Sequence, residues 1–442
     1  MRWGVTLMSA LVWGSGQVAN KQKIKGLIFF LAQGALVCIE LFTGTLAVLT
    51  GGAEPHFRNC GLFIKGIWGL ITLGEIPRTS SRVPVYDHSL MLMINGLIAL
   101  AVLFLFAIIW VINMRDAYAT RKRMERGESL SSVASLRSGF DRFFEYIAIT
   151  PGLLLMLFVS VLPVLFTMLV SLTNYNTNAI PPRSLVSWVG FQNFVDIVRL
   201  PVWGRTFVGV LTWTVVWALL AAFTSYLGGM LQAVLINSKH VRAKKFWRGI
   251  FMLPWAVPAF VSVLVFSNVF HKFGPINQAL TSLGLIDNPI PFLSNAAWAR
   301  TTLVLVNLWL GFPYFMALIS GVISTINTEM YEAAEIDGAN ALQIFRRITF
   351  PFIISATAPQ LIFSITYNFN NFGTVFFLTK GGPLDPNYIL AGSTDLLITW
   401  IYKLTWDQRM YNFASVMSIL IFVGLATIAG WNLLRTRVFK ED

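Results

Sequence analysis

Charged side chains are scarce in this chain of 442 residues: Asp, Glu, Lys and Arg together make up 12% of it, whereas 56% of the residues are hydrophobic. A typical soluble domain carries about 25% charged residues. The composition therefore excludes an ordinary soluble protein and indicates an integral membrane protein. The formal charge is +13, but Lys and Arg occur in short clusters between apolar runs. Such clusters are typical of topology signals, so a nucleic-acid partner is not expected.

Cysteine is nearly absent, and recognisable catalytic motifs are missing. Cys38 lies in an apolar run and Cys60 follows one, and their spacing suits neither a metal site nor a disulfide framework. The sequence contains no G-x-x-x-x-G-K-[ST], H-E-x-x-H or G-x-S-x-G motif. It therefore predicts no catalytic site, no metal site and no ATP site within the chain, and an intramembrane enzyme is not expected.

Apolar stretches that could cross a bilayer as helices, which takes about 20 residues, occur eight times. They are predicted near 26–50, 89–113, 143–172, 204–236, 249–270, 300–325, 350–379 and 412–434. The run 59–74 is shorter and contains Lys65, which favours an interfacial or re-entrant piece. The N-terminal apolar run is broken at residues 14–17 and is followed by three lysines. This pattern predicts an interfacial helix leading into the first span, and not a cleaved signal peptide.

Lys and Arg are unevenly distributed over the connecting segments. If both termini are inside the cell, the segments that would be cytoplasmic contain 21 of the 33 Lys and Arg residues. The positive-inside rule therefore predicts that both termini are cytoplasmic. The segment 114–142 is basic and rich in serine, and it is predicted to be a cytoplasmic linker. It would join an N-terminal part, 1–113, with an interfacial segment and two spans, to a six-span core at 143–442.

One carboxylate lies inside a predicted span. Glu40 is about fifteen residues into the first span, and an acidic residue at such a place is a functional suspect. The alternative is a structural role, towards the outer interface or paired with a neighbouring helix. The structural role is favoured, because a single acid on a peripheral helix makes a poor proton relay.

The segment "YEAAEIDGANALQIFRRITFPFI", residues 331–353, interrupts the apolar pattern. Good helix formers precede Gly338, which supplies a turn, and Leu342, Phe345 and Ile348 then recur at a spacing of three. The pattern predicts a helix, a turn and a short amphipathic surface helix. Pro351 is expected to mark the start of the next span. A solvated loop that only connects two spans is the alternative.

This segment resembles the EAA signature in the membrane subunits of ATP-binding-cassette importers. The matching positions are Glu332, Ala333, Ala334, Gly338, Ile348 and Pro351. The resemblance implies a coupling helix that docks in a cleft of a separate ATPase subunit. It also implies that this chain holds no cofactor, with ATP and Mg²⁺ bound by the partner ATPase subunits.

Other segments resemble sugar-importer permeases over about 143–440. The larger membrane subunit of maltose and maltodextrin importers, the MalF type, is most similar in "LPWAVPAF", "NLWLGFPY", "YNFNNFG" and "AGSTDLLITWIYKLT". The resemblance implies an all-α polytopic fold with eight transmembrane helices, in which a six-helix type I importer core follows two N-terminal helices. It places the chain in the lipid bilayer of a bacterial cell membrane. The implied partners are a second homologous permease, two ATPase subunits and an extracellular sugar-binding protein. Some members have a folded extracytoplasmic domain between the third and fourth spans, where only about 173–203 is available in this chain.

Neutral amide and aromatic side chains recur on the faces of predicted spans, where they suit the hydroxyls and flat C–H faces of a sugar. By the resemblance, the substrate site uses the positions matching Trp255, Asn307, Gly311, Tyr314, Tyr367, Asn368 and Asn371. The family pattern has Tyr in place of Trp255, Phe in place of Tyr367 and a hydroxyl in place of Ala259. The site is therefore expected to bind a sugar more through aromatic stacking than through hydrogen bonds. Each Asn has an alternative role in holding helices together.

The sequence thus predicts the permease subunit of an ATP-driven oligosaccharide importer, with maltose or maltodextrin as the expected substrate. Permeation of another oligosaccharide remains open. A proton-coupled secondary sugar carrier is a second possibility, for which only Glu40 could serve as the relay. A non-transporting scaffold subunit is a third.

Overall fold

The computed structural model describes residues 2–44, 56–80, 85–128, 131–238 and 241–435, with residues 428–435 described by their backbone alone. Across these ranges the secondary structure is helical, and no named strand occurs. The helices of the first 171 residues are α1 Arg2–Leu11, α2 Ser15–Ala19, α3 Lys23–Thr43, α4 Leu62–Thr72, α5 Ser89–Met124 and α6 Ser132–Ser171. Those that follow are α7 Gln192–Arg199, α8 Pro201–Asn237, α9 Lys244–Phe251, α10 Ala259–Val269, α11 Pro275–Ser282, α12 Ala296–Thr325, α13 Thr328–Ile336, α14 Ala341–Phe369, α15 Phe372–Thr379, α16 Leu397–Tyr402 and α17 Tyr411–Arg435.

Six of the described helices are long and apolar enough to cross a bilayer, namely α3, α5, α6, α8, α12 and α14. They confirm the prediction of an all-helical polytopic protein. The eighth predicted span corresponds to α17. The first predicted span was expected to reach residue 50, and its last residues lie outside the described ranges. Much of the predicted linker at 114–142 is helical, because α5 continues to Met124 and α6 begins at Ser132.

The fifth predicted span, 249–270, is not one continuous helix. It consists of the end of α9, a 3₁₀ turn at Leu253–Trp255 and then α10. Pro254 and Pro258 each lack a backbone N–H, and Pro258 takes an extended conformation immediately before α10. With 11 residues, α10 is about 16 Å long and therefore covers only about half of a bilayer core.

The chain forms two compact units, which are described separately: unit 1 is Met1–Asn193 with Met410–Asp442, and unit 2 is Phe194–Arg409. In unit 1, α1 and α2 pack against the C-terminal half of α5 through a buried polar cluster centred on Asn113. The Asn113 amide donates to the Ser9 carbonyl (2.8 Å), and Gln17 donates to the Asn113 carbonyl (2.9 Å). Lys25 pairs with Asp116 at 2.7 Å. These bonds fix the N-terminal helices onto α5.

The short run at 59–74 forms α4, which lies against α5. A Cβ added to Gly66 would come within 2.8 Å of the Ala99 side chain, so the two helices approach closely. The first N–H groups of a helix have no partner within it. Here the Leu62 N–H donates to Thr43 Oγ1 (2.8 Å), and the Phe63 N–H donates to Glu40 Oε2 (2.7 Å). Glu40 therefore caps α4, a structural role of the kind that the sequence favours.

Unit 2 is built around α8, which packs along both α12 and α14. Gly229 permits the first contact, since a Cβ there would lie 2.6 Å from the Phe315 side chain. The Tyr226 hydroxyl hydrogen-bonds Thr357 Oγ1 at 2.8 Å, and the Trp217 indole donates to the Asn368 carbonyl at 3.1 Å. Because Trp217 and Tyr226 are fully or almost fully buried, these bonds fix α14 on α8 in a setting that excludes water.

The capping role of Glu40 predicts the outcome of two substitutions. Glu40→Gln keeps an oxygen that accepts from the Phe63 N–H, so sugar uptake should stay within about twofold of the parent chain. Glu40→Ala removes the cap and should lower the free energy of unfolding by about 1 kcal/mol, measured by thermal unfolding in detergent. If Glu40→Gln abolished uptake while leaving thermal unfolding unchanged, a proton relay would replace the capping role.

Candidate functional site

A cavity of about 610 Å³ lies in unit 2 between the first turn of α10 and the junction of α14 with α15. Its lining residues are Ala259, Phe260, Val263, Phe363, Thr366, Tyr367, Asn370, Asn371, Phe372, Gly373 and Thr374. Two breaks in helices create it. The proline-rich break before Ala259 opens one wall, and the interruption between Phe369 and Phe372 opens the other. The volume lies within the range of small-molecule sites, about 300–1,000 Å³.

Two of the predicted site residues line this cavity. Tyr367 is 65% exposed and is one of its lining residues. Asn371 is half-buried, and its Oδ1 accepts from the Thr374 N–H at 3.2 Å, which caps α15. Its Nδ2 donates to Asn368 Oδ1 (3.2 Å) and Asn307 Oδ1 (3.4 Å). The three predicted asparagines therefore form one amide network, and Asn371 carries that network to the cavity wall.

Asn307 and Gly311 lie in the packed contact between α8 and α12. Asn307 is 6% exposed, and its Nδ2 donates to the Ala221 carbonyl at 3.3 Å and to Ser225 Oγ at 3.4 Å. A Cβ on Gly311 would come within 2.5 Å of Ser225 Oγ. Both residues therefore hold helices together, which was the alternative for the asparagines. The Asn368 Nδ2 bonds within α14, to the Ser364 carbonyl at 2.9 Å, and the Asn368 backbone carbonyl accepts from the Trp217 indole of α8.

Trp255 and Tyr314 form an aromatic pair, which is not part of the cavity lining. Their ring centroids are 6.1 Å apart and the rings are nearly parallel, at 22°. The Trp255 indole donates to the Leu310 carbonyl (3.1 Å), and the Tyr314 hydroxyl donates to Gln360 Oε1 (2.9 Å). Gln360 and Tyr367 are seven residues apart on α14 and so share one of its faces, two turns apart. This face joins the aromatic pair to the cavity.

Sequence reasoning missed three polar residues at these places. Asn370 and Thr366 line the cavity, and Gln360 orients Tyr314. Asn370 could have been found from its position beside Asn371, and Gln360 from its spacing of seven residues from Tyr367. The lining contains no charged residue, so the cavity suits an uncharged ligand with hydroxyl groups and flat apolar faces.

The segment at 331–353 forms the predicted helix, turn and second helix. Gly338 has a φ of +77°, which favours glycine. The Gly338 N–H donates to the Glu335 carbonyl (3.1 Å), and the Ala339 N–H donates to the Ala334 carbonyl (2.9 Å). This is a Schellman motif, which terminates α13. Asn340 then begins α14 with a capping box shared with Gln343. Both sides of the turn are fixed, so the segment is well ordered by its own hydrogen bonds.

Pro351 lies at the start of the α-helical segment Phe350–Phe369, as expected, but this segment continues the helix that precedes it. α14 runs without a break from Ala341 to Phe369, through a π-helical turn at Phe345–Thr349. In that turn the Phe350 N–H donates to the Phe345 carbonyl, five residues back. Pro351 follows as the second residue of the next α-helical segment, where a missing N–H is tolerated. The short second helix and the span are therefore one element.

The coupling turn, defined as residues 331–344, exposes both charged and apolar side chains. Glu332 is exposed and makes no ion pair with any residue in the described ranges. Ile336 and Leu342 are 86% and 73% exposed, although the amphipathic pattern predicts that Leu342 shares a packed face with Phe345 and Ile348. Tyr331 contacts Thr349 through hydroxyl groups 3.2 Å apart, which ties the turn to the base of α14.

Comparisons with known proteins agree with this arrangement. The family model described as "Binding-protein-dependent transport system inner membrane component" matches residues 225–435. The galactooligosaccharides transport system permease protein GanP of Bacillus subtilis (strain 168) is 37% identical over 99% of this chain and 99% of its own length. The maltodextrin transport system permease protein MdxF of the same organism is 37% identical over 95% of this chain and 93% of its own.

Two further comparisons cover part of the chain. The maltose/maltodextrin permease protein MalF of Escherichia coli (strain K12) is 35% identical over 60% of this chain and 52% of its own length. A solved bacterial ABC transporter involved in the import of the acidic polysaccharide alginate has a similar fold, with a TM-score of 0.54 and 21% identity, over 69% of this chain and all of that one. These comparisons confirm the resemblance to the membrane subunits of ATP-binding-cassette importers, which was first drawn from the EAA motif. The chain therefore belongs to the family of binding-protein-dependent transport system inner membrane components, and it is a multi-pass membrane protein.

Proposed function

We propose that this chain is the permease subunit of an ATP-driven importer and that it forms part of the path for a neutral oligosaccharide. The observation that carries the proposal is the uncharged cavity of about 610 Å³ beside Tyr367 and Asn371, at the end of the helix that begins in the coupling turn. Maltodextrin is the proposed substrate. A galactooligosaccharide is the second candidate, since a relative named for that substrate is 37% identical over 99% of the chain.

The proposed partners follow from what the chain itself lacks. Its sequence contains no P-loop, so two ATPase subunits would bind ATP and Mg²⁺ and would contact the coupling turn. A second homologous permease would complete the path, and an extracellular binding protein would deliver the sugar. We place the assembly in a bacterial cell membrane with both termini in the cytoplasm, as the distribution of Lys and Arg favours.

In the proposed mechanism, closure of the ATPases moves the coupling turn, and α14 transmits this movement to the cavity. Tyr367 would stack on a sugar ring, and Asn370 with Asn371 would bond its hydroxyls. Asn307, Gly311 and Asn368 would hold the wall by fixing Asn371 and the contact between α8 and α12. Trp255 and Tyr314 would form a second stacking surface along the same face of α14.

The two alternatives gain no support from the site. A proton-coupled carrier needs a titratable group on the path, but the cavity lining has none of the acidic or basic residues that could serve, and Glu40 caps α4. A scaffold subunit would not need a polar cavity wall supported by three hydrogen-bonded asparagines.

The cavity can be tested in the complete transporter, reconstituted in vesicles with its ATPases and binding protein. Tyr367→Ala and Asn370→Ala should each lower ATP-dependent uptake of labelled maltodextrin by about tenfold, the equivalent of about 1.4 kcal/mol of lost substrate contact. Ile362→Ala is the matched control, because Ile362 is as exposed as Tyr367 on the same helix but does not line the cavity. Equal uptake by all three variants, or an equal loss in the control, would contradict the assignment.

The coupling role is tested separately by Glu332→Lys. This exposed residue matches the first position of the EAA signature, so reversing its charge should reduce both co-purification of the ATPase subunits and sugar-stimulated ATP hydrolysis by about tenfold. Glu329→Lys makes the same charge change one turn earlier on α13 and should leave both measurements near the parent values. A Glu332→Lys transporter that assembles and hydrolyses ATP normally would refute the coupling role.

A further inference from the structure

The N-terminal hairpin of unit 1, defined as residues 2–20, runs alongside α5. At the start of α1, the Trp3 ring centroid lies 5.4 Å from that of Tyr118, and just after α1 the Trp13 ring centroid lies 6.4 Å from that of Phe106. Tyr118 and Phe106 are twelve positions apart on α5, which is about 18 Å along the helix. α1 therefore advances along α5 towards the middle of that span.

The chain then turns back along the same helix. The turn is made at Gly14, whose φ is +83°, a conformation that favours glycine. After the turn, the Gln17 amide donates to the Asn113 carbonyl (2.9 Å), and the Asn20 amide donates to the Ala117 carbonyl (3.0 Å). Both ends of the hairpin therefore lie near the end of α5, and its tip lies further along the span.

Side chains of two spans bond the backbone groups at the tip. Gln33 of α3 accepts from the Trp13 N–H through Oε1 (2.9 Å) and donates to the Leu11 carbonyl through Nε2 (3.2 Å). The Gly14 N–H donates to Asn113 Oδ1 at 3.2 Å. Hydrocarbon offers no water to such groups, so non-helical backbone at membrane depth needs bonds from the protein itself. The tip is built in this way.

The partners of the tip lie within two predicted spans. Trp110, whose indole donates to the Ala10 carbonyl at 3.0 Å, falls inside the predicted span 89–113, and Gln33 falls inside the predicted span 26–50. The helices that carry them, α5 and α3, are both long and apolar enough to cross a bilayer. The tip is therefore level with the hydrocarbon and does not lie beyond the ends of the spans.

The outward face of α1 suits the same surroundings. Leu7 and Leu11, one turn apart, are 64% and 79% exposed, and residues 3–20 contain no Asp, Glu, Lys or Arg. At the level of the tip, the two spans also expose apolar side chains, because Phe30 on α3 is 55% exposed and Val111 on α5 is 42% exposed. The exposed face of α1 therefore adjoins the lipid-facing surfaces of two spans.

We propose that the N-terminal hairpin is re-entrant. It enters the bilayer from the surface at which α3 begins, returns to that surface, and places Leu7 and Leu11 against lipid acyl chains. Gln33 and Asn113, two amide residues at membrane depth that take no part in the sugar path, satisfy the backbone of its tip. Because one belongs to α3 and the other to α5, the hairpin also ties these two spans together inside the bilayer.

Spin-label accessibility in the complete transporter, reconstituted in vesicles, tests this depth. Cys38→Ser and Cys60→Ser first remove the native thiols. A nitroxide on Leu11→Cys should then collide with oxygen, relative to a water-soluble nickel chelate, several-fold more often than a nitroxide on Trp3→Cys. Trp3 is the matched control, because it lies on the same helix and is similarly exposed, at 72%. Equal ratios at the two positions would show a helix that lies flat on the membrane and would overturn the proposal.

A second substitution tests the bonds at the tip. In the chain labelled at Leu11→Cys, Gln33→Leu leaves the Trp13 N–H without its acceptor, so the ratio of oxygen to nickel collisions should fall several-fold. Thr6→Val is the matched control, since the Thr6 hydroxyl donates within α1, and it should leave the ratio unchanged. Equal ratios in these two variants would contradict the proposal.

The accessibility data also identify the other possible surroundings of α1. Low collision rates with both reagents at Leu11→Cys would mean that a partner subunit covers this face, and frequent collisions with the nickel chelate would place it in water. Either result would overturn the lipid contact. Thermal unfolding identifies any misfolded variant, and Leu7→Cys then replaces Leu11→Cys as the labelled position.

Discussion

The continuity of α14 is the constraint on which the proposed mechanism depends. One helix of 29 residues, Ala341–Phe369, begins at the capping box of the coupling turn and ends at the cavity. Its length is about 43 Å. A proline near its beginning would ordinarily separate the two ends mechanically, but the π-helical turn at Phe345–Thr349 carries the chain into Pro351 without a break. Pro351 and Pro359 cannot donate to the hydrogen-bond ladder, but the helix continues past both of them, so movement at the coupling turn can reach Tyr367 along α14.

The surroundings of α14 limit the direction of such movement. Tyr226 and Trp217 of α8 bond to Thr357 and to the Asn368 carbonyl, and they do so in a buried setting where an unpaired group would be costly. At the cavity, the amide of Asn371 bonds to both α12 and α14. Rotation of α14 would therefore alter the cavity wall and the contact with α12 together, which is what a transport step requires.

Much of this arrangement could be predicted from the sequence, because local patterns determine it. The Schellman turn follows from Gly338 and the capping box from Asn340, both of which depend on nearby residues only. The continuity through Pro351 could not be predicted, since a π-helical turn depends on how the surrounding helix packs. For the same reason, the sequence could not tell that Ser225 of α8 occupies the space beside Gly311. Glu40 shows the same limit, because its partner, the Phe63 N–H, is 23 positions away.

The most direct test of the account is the number of ATP molecules hydrolysed per sugar imported when the start of α14 is made flexible. In a reconstituted transporter, Arg347→Gly with Ile348→Gly weakens the helix by about 1 kcal/mol per residue, whereas Arg347→Ala with Ile348→Ala removes the same side chains and keeps helix propensity. The account predicts that the glycine pair retains ATP hydrolysis but uses several-fold more ATP per sugar than the alanine pair does. The same ATP-to-sugar ratio in both pairs would contradict the claim that α14 carries movement from the coupling turn to the cavity.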